Sequence, residues 1–254
     1  MIDTNTTKVI EIVSHCYGGD LPIYPHLLRA QGLSLIHLSQ HKCSVVWTIC
    51  YDPDEKAVVG VLDELEAELA ARRVKIRRIP LPIGHIFERA IGRNIAAMST
   101  DANCVWFCDC DYLFAGGCLD DAIKETDLYY DCIVFPQVVS VTSHVDGDAI
   151  IHHMEAKQPL AVDVLSTFGA RSEMKAIGGI QIVSGELAKS RGYLNEWLKW
   201  MKPATDTSKG NFSTRSDVKY RSYIGKSVPR GFAGTHRIRH SHRSYGGMVV
   251  DGSE

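Results

Sequence analysis

In the run Asn103–Phe114, NCVWFCDCDYLF, an apolar stretch ends in two acids two residues apart, Asp109 and Asp111. Side chains alternate along an extended chain, so this spacing sends both carboxylates to one side and Cys108 and Cys110 to the other. Two carboxylates on one side can share a divalent cation, and hard oxygen donors favour Mg2+ or Mn2+, ions that also chelate the phosphates of a nucleotide. Open α/β sheets bind ligands beyond the carboxyl ends of their strands, which is where the pair would lie. The plainer alternative is that the acids end a strand and solvate a loop, because an isolated Asp-x-Asp is short. The nearby Cys104, Cys108, Cys110 and Cys118 lack the spacing of a zinc knuckle. All eight cysteines of the chain lie mostly in apolar runs, as buried small hydrophobes in a reducing cytosol would.

The elements that must position this pair recur along the chain. Runs rich in β-branched residues, Val9–Val13, Ser44–Cys50, Val74–Ile79, Cys104–Cys108, Cys132–Phe135 and Gly179–Val183, alternate with helical patterns. That alternation predicts an α/β fold with a largely parallel central sheet flanked by helices. One helix should start near Asp52-Pro53 and bury Val58, Val61, Leu62, Leu65 and Leu69. A second covers His85–Met98 and feeds the acidic strand, and a third covers Glu186–Met201. Past Pro203 the chain reads as polar, basic loop. At 254 residues with 45% hydrophobic and 23% charged residues, one domain is expected, with a nucleotide-binding half over 1–115 and an acceptor-binding half over 116–254. The N-terminal stretch has no basic, then apolar, signal pattern, and no run reaches the length of a membrane span, so a cytoplasmic location is expected.

With Arg93-Asn94 in the helix before it, the stretch ERAIGRNIAAMSTDANCVWFCDCDYLF resembles the approach to the Asp-x-Asp motif of family-two glycosyltransferases of the GT-A fold. The resemblance implies a single GT-A, Rossmann-like domain that takes a sugar from a nucleoside-diphosphate donor such as a UDP-sugar, with Mn2+ or Mg2+ on Asp109 and Asp111. It further implies that His15, Tyr17, Asp52, Arg93 and Asp109 line the donor site. The segment MKAIGGIQIVSGELAKS resembles the Gly-Gly strand of beta-1,4-galactosyltransferase-type enzymes, which would set Gly178 and Gly179 beside a sugar. HRIRHSHRSY resembles their Arg-His-Ser element and makes His240 the third metal ligand, with His242 and His236 as alternatives. RSDVKYRSYIG resembles the Glu-Asp motif of inverting families, which gives Asp217 the role of catalytic base; Ser216 stands where those families have Glu.

Net charge is −2, but it is unevenly spread: seven Lys/Arg against one acid over Arg72–Arg93, and nine against Asp217 alone over Lys209–Arg243. Basic segments flanking an acidic strand end suit a polyanion, so a nucleic acid acceptor, such as DNA carrying a hydroxymethylated base, is one expectation. Other classes are a catalytically degenerate nucleotide- or polyanion-binding module, kept open by Ser216, and an Asp-x-Asp phosphotransferase. The latter usually carries its acids after the first strand, whereas three strands precede them here. Nucleotidyl transfer lacks its Gly-rich phosphate loop after Val9–Val13.

Overall fold

The computed structural model describes residues 7–18, 21–195 and 215–241. The parallel strands β1 (Val9–Cys16), β2 (Ser44–Tyr51) and β3 (Val74–Pro80) are joined by helices α1 (Tyr24–His37) and α2 (Lys56–Ala71). Ile10 lies opposite Val45 on one side and Cys104 on the other, so β4 (Cys104–Phe107) extends the parallel sheet from β1. β1, β2 and β4 are buried almost throughout because helices cover both faces, whereas β3, at the edge of the sheet, carries Lys75, Arg77 and Arg78. Ile10, Ile12, Trp47, Ile49 and Trp106 are all fully buried.

Helices α3 (Ile83–Ile86) and α4 (Arg89–Met98) precede β4; β5 (Tyr112–Phe114), α5 (Cys118–Leu128) and β6 (Ile133–Pro136) follow it. Next come β7 (Val138–Thr142), α6 (His144–Glu155), a 3-10 turn over Val162–Thr167, β8 (Phe168–Ser172), β9 (Gln181–Ser184) and α7 (Gly185–Arg191). The described C-terminal part forms α8 (Arg215–Ile224), β10 (Ser227–Arg230) and β11 (Thr235–Arg237). Two sheets result: a seven-stranded one in the order β10-β6-β9-β4-β1-β2-β3, and a four-stranded one in the order β5-β11-β7-β8. In the large sheet β9 alone runs antiparallel to its neighbours β4 and β6, so the sheet is mostly parallel, as the sequence predicts.

Four expectations are corrected. Asp52-Pro53 do not begin α2; Asp52 instead closes a turn, its Oδ1 accepting the Asp54 amide at 3.0 Å, and the helix starts at Lys56. The five apolar residues expected on its face are buried. The helix expected over His85–Met98 is broken at Phe87-Glu88, and α4 begins at Arg89. The helix expected from Glu186 ends at Arg191, where Gly192 takes a φ of +64° and its amide caps the Ala188 carbonyl; residues 196–214 lie outside those described. Beyond 215 the chain is not loop, but α8, β10 and β11. Periodicity is weak there because the two strands are short and polar.

Candidate active site

Asp109 and Asp111 do not sit in an extended strand. β4 ends at Phe107, and the chain turns through Cys108–Asp111, with the Tyr112 amide reaching the Asp109 carbonyl at 3.3 Å. The acids are thus carried on a turn at the carboxyl end of β4, and strand alternation does not govern their direction.

Each carboxylate meets arginine. Arg89 and Arg93, one helical turn apart on α4 and therefore on one face, both donate to Asp109 Oδ1, at 2.7 and 3.0 Å. The same two side chains reach Asp217 in the first turn of α8: Arg93 Nη1 to Oδ1 at 2.9 Å and Arg89 Nη2 to Oδ2 at 3.2 Å. Burial alone would push the Asp109 carboxyl up, but Arg89, Arg93 and Arg237 overcome it and hold it well below the usual carboxylate range. The Tyr193 hydroxyl accepts from Arg93 at 3.0 Å and faces Gln181 Oε1 and Asp217 Oδ1 at 2.9 and 3.2 Å. Gln181 Nε2 in turn binds the Asp217 carbonyl at 3.0 Å, and Tyr193 stacks on Tyr220 of α8 with centroids 4.1 Å apart. Asp109 from the N-terminal half and Asp217 from the C-terminal half are therefore clamped by one pair of guanidiniums.

Asp111 is held from the other direction. β11 pairs antiparallel with β5, the Ile238 amide donates to the Asp111 carbonyl at 2.8 Å, and Arg237 Nε reaches Asp111 Oδ2 at 3.0 Å while lying over the Tyr112 ring. The histidine-rich segment thus returns to the acidic turn. His240 is buried; His236 is half-buried, edge-on to Phe168; His242 lies outside the described residues. Among the described residues no three His, Cys, Asp or Glu side chains converge as a metal cluster, so His240 is not drawn in beside Asp109 and Asp111. Two carboxylates on one turn nevertheless fit Mg2+ or Mn2+, which are commonly held by one or two carboxylates with phosphate oxygens and water completing the shell.

The other expected residues fall nearby or elsewhere as follows. His15, at the end of β1, is 2% exposed, and neither ring nitrogen has a hydrogen-bond partner among the described residues. Burial, then the charges of Arg93 and Arg89, hold its pKa well below the usual imidazole value. Tyr17 is buried, stacked on Phe87 and edge-on to Tyr24. Asp52 follows β2 in its turn. Gly178 and Gly179 are demanded by the chain itself: a Cβ at 178 would meet Asp217 Oδ2 at 2.1 Å, and one at 179 would meet the Tyr112 ring at 2.1 Å. Arg89, Gln181, Tyr193 and Arg237 were not foreseen. Arg89 had a signal, its four-residue spacing from Arg93; Gln181 and Tyr193, lone residues in apolar context, had none.

Much of the basic character seen along the sequence is neutralised internally. Arg77 pairs with Glu11, Arg78 with Asp63 and Glu66, and Arg230 with Glu125, besides the arginines at the acidic turn. The eight cysteines are all free and buried, as expected.

No protein-family model matches the chain, and no curated protein does either. Among solved structures it resembles the mannosyltransferase PcManGT from Pyrobaculum calidifontis, in complex with GDP-Man and Mn2+, at 11% identity and a TM-score of 0.50, covering 92% of this chain and 58% of that one. TarS 1–349 from S. aureus, at 12% identity, gives 0.49 (91% and 60% covered), and its complex with UDP 0.47 (89% and 59%); these two scores carry no weight here. The chain thus spans less than two thirds of the length of each. At such identity the likeness speaks to architecture, and together with the mostly parallel seven-stranded sheet flanked by helices it shows that this chain has the GT-A fold.

Proposed function

We propose that the protein is a metal-dependent, inverting glycosyltransferase that moves a sugar from a nucleoside diphosphate to an acceptor hydroxyl. The observation that carries it is the meeting, at the carboxyl end of β4 in a GT-A fold, of Asp109 and Asp111 with Arg89, Arg93 and Asp217. Residues 1–115 form the nucleotide half and 116–254 the acceptor half of a single domain in this reading. Asp109 and Asp111 would hold Mn2+ or Mg2+ with phosphate oxygens and water completing the shell; among the described residues His240 does not converge with them, and it is a third ligand only if binding of the ion draws it in. A bound ion would screen the charge that develops on the leaving diphosphate. His15, Tyr17 and Asp52 border the nucleotide. Arg89 and Arg93 supply planar donor forks suited to a diphosphate, in a site where preorganised cations stabilise developing charge.

Asp217 is assigned to the attacking hydroxyl. Arg93 holds its Oδ1 and Arg89 its Oδ2, and the remaining lone pair of Oδ2 is the position that could accept the hydroxyl proton. The donor is taken as a UDP-sugar, with GDP-sugars as the nearest competitor, since the mannosyltransferase of like fold is in complex with GDP-Man. Because Arg77, Arg78, Arg89, Arg93, Arg230 and Arg237 of the basic segments pair with carboxylates, a saccharide hydroxyl is preferred as acceptor, with DNA carrying a hydroxymethylated base as the alternative. Free, buried cysteines suit a reducing cytosol.

The test is diphosphate release from a panel of UDP- and GDP-sugars with Mn2+, followed by assignment of the product anomer by NMR. Metal-dependent turnover with inversion is expected. Retention would take the base role from Asp217, and nucleotide binding without turnover would leave the non-catalytic binding module in its place.

A further inference from the structure

Three guanidiniums and three carboxylates meet at the carboxyl end of β4, and Arg237 is held there differently from the other two arginines. Each terminal nitrogen of Arg89 and Arg93 already donates, to Asp109, Asp217, Tyr193 or the Cys108 carbonyl. Arg237 gives only its Nε, to Asp111 Oδ2 at 3.0 Å, and among the described residues its two terminal amino groups meet no hydrogen-bond acceptor. Those amino groups are not closed off from water. The side chain lies over the Tyr112 ring, 5.4 Å from its centroid, and is 17% exposed, while Asp109 on the acidic turn is 27% exposed. Its backbone is fixed on both sides: β11 pairs with β5, where Arg237 lies opposite Tyr112, and with β7, where it lies opposite Val141. Movement at this position therefore belongs to the side chain.

A divalent cation and a guanidinium compete for one carboxylate, since like charges a few ångströms apart repel. A guanidinium displaced within a part-buried site needs another anion, because an unpaired buried charge is costly. A diphosphate suits its planar fork. A nucleotide arriving without the ion would instead meet three carboxylates whose arginines are still engaged. We propose, resting on the transferase reading, that Arg237 couples ion to donor: an ion on Asp111 displaces Arg237, and the released fork donates to the diphosphate. It adds to the charge that Arg89 and Arg93 supply from their places on Asp109 and Asp217. Ion and nucleotide then raise each other's affinity by one common factor, as linkage requires.

The experiment compares wild type, Arg237→Gln and Arg237→Lys, with thermal unfolding as the check on folding. Mn2+ alone is titrated by electron paramagnetic resonance of the free ion, and UDP with and without Mn2+ by calorimetry, corrected for association of Mn2+ with UDP in solution. In wild type, UDP is expected to raise Mn2+ affinity by about 5–150-fold. Mn2+ alone should bind Arg237→Gln at least about 10-fold more tightly than wild type, since the competing charge is gone. UDP with Mn2+ should bind that variant more weakly, and the coupling factor should shrink. A merely structural role would instead weaken Mn2+ binding. Arg237→Lys keeps the charge without the planar fork, so it should bind Mn2+ alone as wild type does but UDP with Mn2+ less tightly. Mn2+ alone binding Arg237→Gln no more tightly than wild type, or UDP with Mn2+ binding it equally well, would overturn the proposal. So would a wild type whose Mn2+ affinity ignores UDP, a result that stands even where both variants fail to fold. Donor turnover by wild type separates these failures from that of the transferase reading, which falls only if no sugar nucleotide of the panel is turned over.

Discussion

Arg93 is fully buried and charged, and it holds acids from both halves of the chain. Breaking a buried ion pair by deleting one partner is far more damaging than never having it, because the carboxylates left behind stay desolvated. Arg93→Ala is therefore expected to cost about 3–5 kcal/mol in urea unfolding, and a loss below 1 kcal/mol would show that Arg89 suffices to hold both acids. His15 makes a second case. Its imidazole is neutral and buried, with a folded pKa depressed below 6.5. As pH falls through 6.5 the unfolded chain gains a proton that the folded one refuses, so this contribution to stability is full above that pH and is lost below it. The slope from one such group approaches ~1.4 kcal/mol per pH unit. Unfolding free energies measured between pH 7.5 and 5.5 should fall in wild type and fall less steeply in His15→Gln. His26, His41 and His236 shift in the same direction and leave a residual slope.

Elements decide how near the two halves of the site can come. The turn before β9 passes so close to Asp217 that only glycine fits at 178. Gly178→Ala is expected to displace the Asp217 carboxylate, lowering transfer at least 10-fold by analogy with other misplaced catalytic geometry while nucleotide affinity holds, as kinetics and calorimetry would show. Gly147 on α6 lies against the Arg239 carbonyl, which a Cβ would approach to 1.6 Å. Gly147→Ala should therefore disturb the arm that carries Arg237 and His240, and weaken metal-dependent nucleotide binding more than metal-free binding. Sequence periodicity made the parallel core and the amphipathic α2 legible, since apolar side chains at regular spacing report burial directly. It could not reveal β5, β8 and β11, whose three to five residues are too few to show a period and which gain their order in the four-stranded sheet, where β5 pairs with β11 and β8 with β7. Nor could it place the break at Phe87-Glu88, since a helical pattern continues through it; that break sets Arg89 in the first turn of α4.

At the scale of the whole molecule, charges that look like a surface field along the sequence fold into intramolecular pairs. Arginines at 77, 78, 89, 93, 230 and 237 each find a carboxylate, and those at 89, 93 and 237 all meet the acidic turn or its partner Asp217. Residue type and order pointed to Asp109, Asp111, Arg93 and Asp217, whereas their mutual contacts arise from long-range topology that one sequence does not display. The site is assembled only when β9, α8 and β11, all from the C-terminal half, return to the end of β4. Nucleotide binding at that junction depends, on this account, on the two acids acting through a divalent ion. Calorimetric titration of UDP and GDP with and without Mn2+, for wild type and the double variant Asp109→Asn, Asp111→Asn, tests this most directly. Binding that requires Mn2+ in wild type and is at least about 10-fold weaker in the double variant, a difference of ~1.4 kcal/mol, is the expected result; equal affinity in both proteins, or no response to Mn2+ in either, would contradict it.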